Sequence, residues 1–182
     1  MNWIMKGLTL IAMVFLVVGV AGAQEKAPDD GFEAFLKAID VVAPAPVLEQ
    51  RWSDVRERLM QAAADEERDQ YTRLRATSIL GNFPEKDVRT FLTTLTETED
   101  GLIRREAFYT VGRAFGAPGD AELVELIEKG IADEDARVRA HSIRVLRWIE
   151  HADAARTLEK VAKTSDDEAL RDLAALTLSR RK

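Results

Sequence analysis

One motif returns four times along this 182-residue chain, and its spacing limits the fold more than any other feature. It reads Thr72-Arg73, Ala76 and Leu80-Gly81, then Ile103-Arg104, Ala107 and Val111-Gly112. It returns as Val138-Arg139, Ser142 and Leu146, and as Leu170-Arg171, Ala174 and Leu178, at offsets of 31, 35 and 32 residues. Four residues before each arginine stands an aspartate: Asp69, Asp100, Asp135 and Asp167. Between the copies lie further apolar stripes, Val88-Phe91-Leu92-Leu95, Leu123-Leu126-Ile127-Ile131 and Leu158-Val161, broken by Pro84 and by Pro118-Gly119. Two amphipathic helices in a period in the low thirties cannot bury their apolar faces alone; they must stack. No alternating strand pattern occurs. The expected fold is all-α, an α-α superhelix of about four to five helix pairs.

The repeated residues have physical roles. A small side chain at Ala76, Ala107, Ser142 and Ala174 lets neighbouring helices approach closely. Each aspartate sits where a helix should start, and capping its free amides is worth about 1 kcal/mol. The ladder Arg73, Arg104, Arg139 and Arg171 is read as structural, each arginine pairing with the aspartate four back or on the next repeat. At a solvated surface such a pair contributes only about 0.3–0.5 kcal/mol.

Composition removes several function classes. With 26 Lys and Arg against 32 Asp and Glu, the formal charge is −6, the wrong sign for a general nucleic-acid binder. Zero cysteine excludes disulfides, thiolate nucleophiles and cysteine-based metal sites, and two histidines leave little for a histidine-rich one. No Gly-x-Ser-x-Gly elbow, phosphate loop or dinucleotide fingerprint occurs. No cofactor is expected.

The repeated pattern, aspartate then an apolar residue and arginine, then alanine and Leu-Gly, resembles HEAT repeats, in the short variety first associated with phycobilisome lyases. The resemblance covers residues 65–182. It implies a non-enzymatic module that binds a protein partner, with the second helix of each pair lining the inner surface. The candidate contact residues there are Glu122, Glu125 and Lys129, with Arg89, Thr93, Arg156, Glu159 and Lys163 also facing outward. Enzymes of similar fold are set aside on the residues: the di-iron hydroxylases carry His-Glu pairs, and none stands here.

Two further candidates come from departures within the repeat. Tyr109 occupies a position that is Ser78 and Arg144 in its neighbours, so it reads as an aromatic on a polar face. Leu173 and Leu176 add apolar surface where other copies are polar, on a helix read as the first of an incomplete pair. A weak homodimer through that helix is therefore an expectation.

Residues 1–23 read as a signal peptide: Lys6, an apolar run, and the small-residue end Ala21-Gly22-Ala23. Cleavage there predicts an exported protein, periplasmic or secreted. The alternative is an uncleaved anchor holding an accessory or regulatory subunit of an envelope complex, the one route by which a membrane enters. Residues 24–30 read as a flexible leader and 31–64 as a degenerate helix pair that caps the array. In that cap Phe32, Phe35, Leu36 and Ile39 form one stripe, and Leu48, Trp52, Val55, Leu59 and Ala62 the next.

Overall fold

The computed structural model describes residues 30–39 and 42–181. The signal-peptide reading of 1–23, and the leader up to residue 29, lie outside them. Among the described residues there are ten α-helices and no strand. None is long and apolar enough to cross a membrane.

The helices form two layers. The four repeated motifs are α4 (Gln70–Leu80), α6 (Gly101–Phe115), α8 (Ala136–Val145, continued by a 3-10 turn Leu146–Trp148) and α10 (Glu168–Ser179). These stack in order, α4 on α6, α6 on α8 and α8 on α10. The second layer holds α3 (Val55–Ala64), α5 (Lys86–Leu95), α7 (Ala121–Ile131) and α9 (Ala152–Thr164), with α3 against α5 and α7 against α9. Between the layers runs one apolar core, which includes Leu80, Val111 and Leu146, all fully buried, with the small residues Ala76, Ala107, Ser142 and Ala174. Two glycines set the closest approaches. A Cβ on Gly112 would drive into Val145 Cγ1, so α6 meets α8 only because that position is bare. On Gly130 it would collide with Ser142 Oγ and crowd the Phe108 ring.

The phase of the pairing differs from the sequence expectation. Of the two second-layer helices beside it in the chain, each motif helix packs more closely against the one before it: α4 on α3, α6 on α5, α8 on α7, and α10 on α9. Helix α10 therefore completes a hairpin with α9 and is not half of an incomplete pair.

The N-terminal region also differs. Residues 31–64 hold three helices, α1 (Phe32–Lys37), α2 (Ala45–Arg51) and α3, rather than a pair. The Leu48–Ala62 stripe breaks at Trp52, whose backbone is extended at φ −139° and ψ 106°. That break turns its ring onto Phe32 and Phe35, with centroids 5.5 and 5.1 Å apart. Helix α1 stops before Ile39, which is 92% exposed rather than part of the stripe. The Ala38 carbonyl instead accepts from Tyr71 Oη of α4 at 3.0 Å. Arg68 closes this end with a bidentate pair to Glu33 at 2.8 and 2.9 Å.

The ladder residues divide the work. Each aspartate caps its helix: Asp69 accepts from the Thr72 amide, Asp100 from those of Leu102 and Ile103, Asp135 from that of Arg137, and Asp167 from those of Ala169 and Leu170. These amides, with the Thr72 and Arg137 side chains, hold the Asp69 and Asp135 carboxyls below the usual range. The arginines reach elsewhere. They fold back and donate to carbonyls ahead of their own helices: Arg73 to Ala63 at the end of α3, Arg104 to Thr98 and Glu99, Arg139 to Asp133 and Glu134, Arg171 to Ser165. Arg104 also grips Asp133 of the next repeat through two 3.0 Å bonds, and Arg73 lies 3.9 Å from Asp100. Arg73 and Arg104 are each only 8% exposed, so a solvated-pair energy does not describe them.

Candidate functional site

Helices α5 and α7 are strongly two-sided. On α5, Val88, Leu92 and Leu95 are buried, leaving Thr90 and Thr94 exposed and Thr93 half-exposed. On α7, Leu123, Val124, Leu126 and Ile127 are buried, while Glu122, Glu125 and Lys129 stand exposed along one face. Between the two helices runs an open groove of about 690 Å³. Phe115, from the end of α6, and Leu126 supply its apolar part; Lys86, Arg89, Glu122, Glu125 and Lys129 supply charges of both signs.

One ion pair ties the two helices together. Asp120 caps α7, accepting from the Leu123 amide at 2.8 Å. Arg89 of α5 grips the same carboxylate bidentately at 2.6 and 2.8 Å. Those arginine hydrogen bonds, helped by the Leu123 amide and the guanidinium charge, outweigh burial and pull the Asp120 carboxyl down to about 2. The pair stays ionised at every physiological pH and fixes the spacing of α5 and α7.

A shallower groove follows between α7 and α9, about 270 Å³, lined by Glu125, Glu128, Arg156 and Lys160 among others. It is bridged by Thr157, whose hydroxyl donates to Glu128 at 2.6 Å. Glu125 lines both grooves. The two form a polar strip with a local apolar floor, suited to gripping a surface rather than enclosing a small molecule. Among the described residues no group of three His, Asp or Glu side chains gathers in a way that could hold a metal.

Of the residues singled out in the sequence, Glu122, Glu125, Lys129, Arg89 and Thr93 come together at the α5–α7 groove, and Arg156 joins at the second. Tyr109 does not. It is half-buried on α6 with its ring edge-on to Trp148, centroids 5.3 Å apart, and with His141 at 6.4 Å. The polar neighbours that suggested an open face belong to other repeats; here Trp148 fills the space. His141 beside it is also half-buried, and burial lowers its pKa. Leu173 packs partly into the core, whereas Leu176 is 45% exposed; neither lines a groove. The ladder residues sit at the starts of the motif helices, the aspartates as caps and the arginines in the first turn. Sequence reasoning missed Lys86, Thr90, Phe115 and Leu126; the first two follow from the helical period of α5, but Phe115 arrives from a different helix.

Comparison with protein families matches residues 109–179 to HEAT repeats. That span runs from the middle of α6 to the last residue of α10. No curated protein matches the chain. HEAT repeats commonly mediate protein–protein interaction and are generally non-enzymatic.

Proposed function

We propose that this HEAT-repeat chain is a non-catalytic adaptor that binds a protein partner along the α5–α7–α9 face and works outside the cytoplasm. The observation that carries the binding reading is the α5–α7 groove. Its spacing is held by Arg89–Asp120, its floor offers Phe115 and Leu126, and its rim carries charges of both signs. An apolar floor within a charged rim is the layout of a protein-binding patch. Export is supported by the apolar run and the Ala21-Gly22-Ala23 end in the sequence. The second reading keeps the same groove on an accessory subunit anchored by residues 1–23, an envelope complex supplying the partner.

Photo-crosslinkers placed at Thr90 and Glu125, with one at Ala136 as a control, test the groove in extracts of the native host. The reading expects one protein trapped from both groove positions and absent from the control, with trapping from Thr90 lost in Glu125→Lys, Lys129→Glu. Equal capture from all three positions would refute it. N-terminal sequencing of the mature protein separates the two localisations: Gln24 marks export with cleavage, and Met1 in a membrane fraction marks the anchor.

A further inference from the structure

The turn from α6 to α7, the turn from α8 to α9 and the residues after α10 enclose a second cleft, of about 770 Å³, which shares no lining residue with the α5–α7 groove. Four arginines line it: Arg113, Arg147, Arg180 and Arg181. Several arginines elsewhere in this acidic chain meet acids, as in Arg56–Asp87, Arg68–Glu33, Arg89–Asp120 and Arg104–Asp133, while Arg139 and Arg171 spend their donors on backbone carbonyls. None of the four cleft arginines is paired with a carboxylate among the described residues. Arg181 is committed to the backbone, donating to the carbonyls of Leu146, Ile149 and His151. Arg147 stacks on Trp148, its guanidinium 4.1 Å from the ring centre. Arg113, Arg147 and Arg180 remain exposed.

Helix polarity is the bland explanation for cations here, because α6, the 3-10 turn after α8, and α10 all end at this cleft. The magnitudes do not support it as sufficient. Each helix end supplies at most about half a negative charge, and Glu150 is the one carboxylate among the lining residues. Four guanidinium charges exceed that total, so the cleft stays positive on a molecule of net charge −6. Its wall is also partly apolar, with Trp148, Ile149 and Ala155 beside the arginines. A bare inorganic anion would use the guanidinium forks and leave that wall idle. A polynucleotide would meet the repulsion of the whole acidic chain.

We propose that this cleft binds an acidic peptide segment, its carboxylates gripped by Arg113, Arg147 and Arg180 and an apolar side chain between them resting on Trp148. Arginine matches carboxylate geometry bidentately, and the cleft volume falls within the roughly 300–1,000 Å³ of ligand sites. This rests on the protein-binding reading and gives the partner a second point of attachment, of stated charge.

The test uses the full chain and a fluorescein-labelled peptide of alternating aspartate and leucine, read by polarisation and by quenching of Trp148, assigned with Trp148→Phe. The acidic peptide should bind, weakening at least tenfold in Arg147→Gln, Arg180→Gln, with the circular dichroism spectrum and melting temperature unchanged. Binding should also weaken as salt rises. A peptide with serine for aspartate should not bind. Equal binding of the serine peptide, undiminished binding by the double variant, or full displacement by inorganic phosphate or by oligo-dT at peptide-like concentrations would each overturn the proposal. Groove-dependent crosslinking at Thr90 and Glu125 is a separate readout. If it persists while the peptide fails, only the cleft assignment falls; if it fails as well, the protein-binding reading falls with it.

Discussion

Replacing Arg104 with alanine should unfold this protein far more readily than its place in the first turn of α6 suggests. Arg104 is 8% exposed and makes four bonds, two to the Thr98 and Glu99 carbonyls and two to the Asp133 carboxylate. The Arg104 and Asp133 side chains are only 10% and 12% exposed. Breaking a buried pair from one side costs about 3–5 kcal/mol. Asp133 keeps one bond, from the Asp135 amide at 2.8 Å, which places the expected loss near the lower end, about 3 kcal/mol. Arg104→Lys should lose less, because an ammonium restores the charge but not the fork that serves two carbonyls and a carboxylate together. Urea melts at pH 7 give both values, provided the slope stays constant. The pH dependence has a definite sign. Burial alone would raise the Asp133 carboxyl, but hydrogen bonds from Arg104 and the Asp135 amide outweigh it and hold it below its ordinary value. A carboxyl depressed by folding stabilises fully above its unfolded pKa, about 3.9, and loses that contribution as pH falls through the folded one. The gap between wild type and Arg104→Ala should therefore narrow below about pH 4. A loss under about 1 kcal/mol at pH 7, the value of an exposed pair, or a gap that widens in acid, would refute the buried-clasp argument.

Gly112→Ala should cost at least the ~1–3 kcal/mol of an overpacked core, since its Cβ would enter the space of Val145; an unchanged thermal midpoint would contradict the α6–α8 contact. The Asp120 carboxyl should titrate by NMR with a midpoint of about 2 and move up towards the ordinary carboxylate range in Arg89→Ala. A midpoint indifferent to Arg89 would mean the tie across the groove does not form in solution.

The two-layer plan was legible because stacking uses side chains that recur: a small residue at Ala76, Ala107, Ser142 and Ala174, and an aspartate at each cap. The arginine clasps were half-legible. A repeating arginine can be seen, but its partners are mostly backbone carbonyls, and every residue has one. Periodicity fixed which side of α5 and α7 faces out, and so Glu122, Glu125 and Lys129. It could not show that Phe115 closes the groove, since that contact depends on where α6 ends. Tyr109 was misplaced because neighbouring repeats served as its template, and neither carries an aromatic equivalent to Trp148 in the same relation. The arginine cleft has a faint trace. Arg113, Trp148 and Arg180 each stand six residues beyond the small residue of their motif, a position reading Asn82 in the first copy.

Apart from α1 against α4, the main contacts join helices no more than two steps apart along the chain. A topology of such low contact order reaches its native state quickly, because little loop entropy is lost before contacts form. Its stability also behaves as a sum over units and their interfaces, with no single lock on the whole. Opening can then begin at one flank and halt after a unit or two. The α9–α10 hairpin is a flanking unit of the described array, whereas α5 and α7 have neighbours on both sides. The arginine cleft, which needs α10, would be lost in partial openings that leave the α5–α7 groove standing, so the two surfaces have different lifetimes within one folded molecule.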